Sequence, residues 1–234
     1  MALLLLAKNG FAQQNFSMSF VLSRTPVTSL PFNATKYGEN VMFEPETSYS
    51  INNSNNAIPD KLYDNVQCTQ YIRASSDPYM NGCFFRKFAI SGSSNKLVVV
   101  SFGGLTPYRT DVLCVVDPLG TVISTLEGHV ETSEVVVKQF RINAEGHIII
   151  SQIVPTTSVS IPFYTFTSFT GQRKDITYSI NAKGQFVQVS EVVYVARTYT
   201  RATLENQNIN IWQGGETVYV PTAPNDPNVR QLNK

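Results

Sequence analysis

Three stretches of this chain share one arrangement: an Asp or Asn, two further residues, then a Gly, with β-forming residues on either side. They are VVDPLGTVI (115–123), INAEGHIII (142–150) and SINAKGQFV (179–187). A type I turn favours Asp or Asn at its first position, because the short side chain accepts from backbone amides further along. It favours Pro at its second, where φ is already near the required value, and Pro118 stands there. A glycine closes such loops because it enters the left-handed region without a Cβ clash. The arrangement therefore predicts three hairpin tips, closed by Gly120, Gly146 and Gly184, each joining a strand to an antiparallel neighbour.

The rest of the chain from residue 66 fits that pattern. Strands are expected near 66–74, 83–90, 96–103, 111–117, 121–127, 134–142, 147–154, 158–169, 174–181, 185–200 and 208–213. Val, Ile, Phe, Tyr and Thr dominate them, and Gly, Pro, Asn or Asp separate them. No stretch carries a helical apolar stripe longer than two turns. In QFVQVSEVVYVAR the alternation puts Val187, Val189, Val193 and Val195 on one face, which reads as core. The fold class is all-β, an antiparallel meander forming a barrel or sandwich. The alternative is a propeller-like array of short blades, but the hairpin glycines are unequally spaced and a propeller repeats at about 40–50 residues.

Residues 13–65 are irregular and rich in Asn, Ser, Pro and Thr, with short strands expected at 16–22 and 40–44. The expected organisation is this region packed with 66–213 as one domain, then a tail over 214–234 whose last positions are mobile. At the N-terminus, residues 1–12 resemble the end of a signal peptide. The apolar run Ala2–Ala7 is followed by small residues at Gly10 and Ala12, which suits cleavage before Gln13. The pattern lacks a basic segment ahead of the leucines. Low charge agrees with an extracytoplasmic location (periplasmic, cell-surface or secreted): charged residues make up 15% of the chain, against roughly 25% in typical soluble proteins. With 18 basic and 17 acidic residues and no cationic run, nucleic acid is not expected as a partner. No run is long enough for a transmembrane helix.

Chemistry leaves little trace. Cys114 lies inside VLCVV and reads as a small buried hydrophobe, while Cys68 and Cys83 would pair only if their strands are neighbours. Two histidines, His129 and His147, lack partners at metal-ligand spacing. Glu127, His129 and Glu131 alternate on one strand, as ordinary strand-end polar residues do. No metal and no cofactor are expected, and no nucleophile elbow or phosphate loop occurs. Asp111, Asp117, Glu134, Glu145 and Asp175 are available as paired carboxylates of a hydrolase, though most fall at turns.

The better candidates are aromatics and arginine in loops. GGLTPYRTD (103–111) puts Tyr108 and Arg109 in a Gly/Pro loop, and Trp212 precedes Gly214-Gly215. These residue types are enriched at binding hot spots. The leading expectation is a secreted, non-enzymatic β-protein that binds a partner protein, glycan or surface component through loops, using Tyr108, Arg109 and Trp212. Two alternatives are a closed β-barrel holding an apolar small ligand, lined by the ring-bearing faces of 160–169 and 185–195, and a hydrolase with dispersed carboxylates.

Overall fold

A computed structural model describes residues 18–33, 48–50, 82–102, 110–130, 137–156, 166–206, 211 and 215–219. The hairpin tips set its shape. At the first, Asp117 Oδ1 accepts from Leu119 N at 2.9 Å and Thr121 N at 2.8 Å, and Gly120 N donates to Asp117 O at 3.0 Å. Asn181 repeats this with Lys183 N and Gln185 N, both at 2.9 Å. Asn143 Oδ1 accepts from His147 N at 2.8 Å. Gly120, Gly146 and Gly184 have φ of 91°, 85° and 76°, the region that glycine enters most cheaply. The short polar side chain that begins each turn thus satisfies the amides that the reversal strips of strand partners.

The tips connect strands of one antiparallel sheet. In chain order these are β1 (Phe32–Asn33), β2 (Ser48–Ser50), β3 (Gly82–Ala89), β4 (Lys96–Phe102), β5 (Thr110–Val116), β6 (Val122–Val130) and β7 (Val137–Ile142). They continue with β8 (Ile148–Pro155), β9 (Ser168–Ile180), β10 (Phe186–Val193) and β11 (Arg197–Thr200). The sheet runs in the order β10-β9-β8-β7-β6-β5-β4-β3-β2, a meander without crossovers. β9 is long enough to hold β10 along residues 174–180 and β11 along 168–171 on the same edge.

Among the described residues β6 and β7 share a single residue pair, Val130 and Lys138. Further along β7, β1 takes the neighbouring place, with Phe32 opposite Ile142. The two halves of the sheet then face each other. Phe88, Leu97, Val99 and Leu113 from β3–β5 pack against Phe140, Ile142, Ile148 and Ile150 from β7–β8. Phe32 joins them, with ring centroids 5.2 Å from Phe88 and 6.0 Å from Phe140. Each such side chain contributes roughly 1.5–3 kcal/mol by leaving water. At Gly128 the approach of the halves is so close that an added Cβ would lie 2.3 Å from Leu113 and 2.7 Å from Phe140. The architecture is sandwich-like: the strands form one continuous sheet rather than separate blades, and among the described residues β2 and β10 do not pair to close a barrel.

Two expectations from sequence are corrected. Of the strand expected over 16–22, the described part from Met18 on is helical instead: α1 spans Met18–Arg24, with Met18 and Leu22 buried. Residues four apart share a helix stripe as well as a strand face, so the short apolar run was ambiguous, and Pro26 ends the helix. The second concerns β10. Gln188 opposes Tyr178 and Ser190 opposes Thr177, so Val189 is an inserted bulge residue. Val187 then opposes Ser179 and Val193 opposes Lys174, on opposite faces of β9. The four valines share no face, and Val187 and Val189 are 41% and 53% exposed. A short helix not foreseen, α2 (Arg201–Asn206), follows β11 and is capped by Thr200 Oγ1, which accepts from Thr203 N at 3.1 Å. Cys114 is buried. Cys68 lies outside the described residues.

Candidate functional site

β9 alternates. Tyr178 and Ile180 pack against the main core, so Arg173 and Asp175 lie on the other face, opposite Ile153 and Ser151 of β8. Both charged residues are buried. Two residues apart on one strand, they lie side by side: Arg173 Nε donates to Asp175 Oδ1 at 2.9 Å and its NH2 to Oδ2 at 2.6 Å. This two-pronged geometry gives the strongest kind of side-chain hydrogen bond. The same carboxylate accepts from Tyr194 Oη at 3.1 Å and lies 3.5 Å from Arg141 NH2.

The remaining prong of Arg173 crosses to the C-terminal region. NH1 donates to Ile211 O at 2.8 Å and to Glu216 Oε2 at 2.6 Å. Arg197 of β11 donates through NH2 to the other oxygen of Glu216 at 2.8 Å. The side chains of Arg173 and Glu216 are only 4% and 1% exposed. Ring faces hold both guanidiniums, Arg173 over Tyr194 at 4.4 Å and Arg197 over Tyr199 at 4.6 Å. Beside the cluster Phe169 stacks on Tyr199 at 5.6 Å and meets Phe166 edge-on at 5.3 Å.

Burial opposes ionisation of Asp175, yet hydrogen bonds from Arg173 and Ser151 and the charges of Arg173 and Arg141 outweigh it. Its carboxyl is held below the usual range. Burial also opposes the charge on Arg173, and Asp175 and Glu216 more than restore it. Burial, reinforced by the charge of Asp175, pushes the Tyr194 phenol up, and burial pushes up that of Tyr199. A carboxylate this firmly ionised and this fully engaged is neither a proton donor nor a free nucleophile. The arrangement positions chain rather than moving protons.

What it positions is the segment 215–219. Val195 N donates to Thr217 O and Tyr219 N donates to Val193 O, both at 2.8 Å. The first part of the expected C-terminal tail is therefore paired to the sheet, beyond the end of β10. Tyr108, Arg109 and Trp212, the binding residues expected from sequence, lie outside the described residues, as does Glu134. The cluster itself was missed. Its one sequence signal is the opposite charges at i and i+2 of a strand, Arg173 and Asp175; nothing local ties Glu216 to them.

Among the described residues no group of three or more His, Cys, Asp or Glu is placed to hold a metal ion. Also among them, no helix is long and apolar enough to cross a membrane. No family model matches the chain, and neither the curated proteins nor the solved structures contain a match to it.

Proposed function

We propose that this chain is a non-enzymatic, extracytoplasmic binding module that engages a protein partner along the β10 edge of its sheet. One observation carries the reading. Seven large apolar side chains are exposed among the described residues, and four of them, Val187, Val189, Val195 and Val218, follow β10 and the segment paired beside it. Among the described residues nothing pairs with the outer edge of 186–192. A free edge offers a row of backbone donors and acceptors, and natural sheets usually guard such edges with charge, Pro or cover. A partner that adds a strand satisfies the row with main-chain bonds and gains apolar contact from alternate side chains.

The test is a photoactivatable cross-linking residue placed at Val187 or Val189 in the producing cell, with Leu119 as control. Leu119 is 84% exposed and sits on the hairpin tip between β5 and β6, not on β10. Discrete protein adducts at the two edge positions and none at the tip are expected. Equal labelling at all three, or none at the edge, would sink the reading. Export has its own check, since the mature chain should begin at Gln13 on N-terminal sequencing.

A further inference from the structure

Residues 215–219 lie on the sheet as a bound peptide would. Gly215, Thr217 and Val218 are exposed, while the Glu216 side chain is buried between two arginines. Two backbone hydrogen bonds hold the segment to the edge at 193–195, and Gly215 turns the chain into it with φ of 65°. The carboxylate is thus the feature by which this edge selects its strand.

The receiving fork does not depend on the segment. Arg173 is fixed by both oxygens of Asp175 and by the Tyr194 ring, and Arg197 by the Tyr199 ring. All of these sit on β9, β11 and the short link between β10 and β11. Among the described residues Arg173 pairs with Asp175 and Glu216, and Arg197 with Glu216; without Glu216, Asp175 is the carboxylate left to this pair of cations. An emptied fork keeps an unbalanced, partly buried pair of cations, which attracts an anion and gains no counter-charge from a neutral substitute.

We propose that Arg173, Arg197 and the 193–195 edge form a receptor for an extended peptide bearing a glutamate, and that Glu216 occupies this receptor in cis. The proposal rests on the edge-pairing reading and gives that partner its chemistry. It is a segment whose carboxylate enters the fork while its next three residues pair with the edge. A partner strand competes with the chain's own segment and, once seated, continues along residues 186–192 of β10, whose outer edge nothing pairs with among the described residues.

The probe is a blocked, fluorescent peptide of residues 215–219, Gly-Glu-Thr-Val-Tyr, and its Glu→Gln counterpart. Each is titrated into the full chain carrying Glu216→Ala. The glutamate peptide is expected to saturate the variant, and the glutamine peptide to bind more than about tenfold more weakly, since it leaves Asp175 as the one carboxylate paired to Arg173 and supplies none to Arg197. Wild-type chain should bind the glutamate peptide more weakly than the variant does, because Glu216 competes. Equal binding of the two peptides, or binding of neither, by a variant with the wild-type circular dichroism spectrum overturns the proposal. Should Glu216→Ala not fold, Tyr219→Pro takes its place, with Tyr219→Ala as control for the lost ring: it keeps the buried carboxylate and removes the donor to Val193 O. The same glutamate-over-glutamine ratio, with tighter binding than wild type, is then required. Cross-linking at Val187 and Val189 reads the open half of the edge and is indifferent to the fork, so the two tests fail independently.

Discussion

The apolar stretches 98–100 of β4 and 112–116 of β5 on one side, and β9 with β11 on the other, solve the same problem by opposite means. Val98, Val100, Leu113, Val115 and Val116 are fully buried and their side chains offer no polar atom to satisfy. Burial of this kind is forgiving: each side chain helps on its own, and loss of one leaves a cavity but no unsatisfied group. On β9 the buried face instead carries Arg173 and Asp175, completed by Glu216 from a distant part of the chain. There each group is tolerable only because its partners are present. Apolar burial makes the fold stable; the ionic clasp decides which segment may join the edge and where.

The sharpest way to break this comparison is to truncate one residue on each side. Arg173→Ala leaves two buried carboxylates short of their main counter-ion and should cost about 4 kcal/mol in urea unfolding. Leu113→Ala removes only apolar contact and should cost about 3 kcal/mol. The informative variant is the third, Arg173→Met with Asp175→Leu and Glu216→Leu. Replacing the whole clasp by apolar groups should return stability to within about 2 kcal/mol of wild type. If the triple change is as damaging as Arg173→Ala, the clasp stabilises in its own right and the contrast fails.

Acidification separates the two regions without mutation. The carboxyl of Asp175 is depressed in the folded state, so its native form takes up protons less readily than the unfolded chain. Its stabilising contribution is therefore full above the ordinary carboxylate range and is lost as pH falls through the depressed folded value. Urea midpoints should fall over that acid range in wild type and less steeply in the triple apolar variant. Tyr194 and Tyr199 are shifted upward, so a matching loss should begin at alkaline pH, above the ordinary tyrosine range. Parallel acid limbs in the two proteins would show that Asp175 is not responsible.

Much of the sheet was legible because local chemistry dictates it. The turn residues Asp117, Asn143 and Asn181 act within five residues of themselves, and the strands they join are β-branched runs of ordinary length. The β10 face was misread because its bulge comes from pairing with β9, and one inserted residue inverts every assignment after it. The helix α1 was misread because Met18 and Leu22 fit either period. The clasp was illegible for a different reason. Arg173 and Glu216 meet only after β9, β11 and the last segment have assembled, and no periodicity links residues 43 apart. The loop candidates Tyr108, Arg109 and Trp212 follow composition alone, and their geometry lies outside the described residues.

The hairpin glycines give the smallest effects and the finest grading. Each has positive φ, so alanine at any of them costs about 1–2 kcal/mol in backbone strain alone. Their surroundings differ. At Gly146 the nearest other atom to an added Cβ is Leu30 Cδ1 at 4.0 Å, so strain is the whole penalty. At Gly184 the added carbon would lie 3.0 Å from Ile123 Cδ1 and 3.2 Å from Val115, side chains with some room to shift. At Gly120 it would lie 2.7 Å from the backbone nitrogen of Ser19, which moves only if α1 moves. The expected order of destabilisation is Gly120→Ala, then Gly184→Ala, then Gly146→Ala, read as urea midpoints. A Gly120→Ala cost no greater than that of Gly146→Ala would mean that α1 is not held against the first hairpin tip. The close approach of Ser19 to that tip would then contribute nothing to the fold.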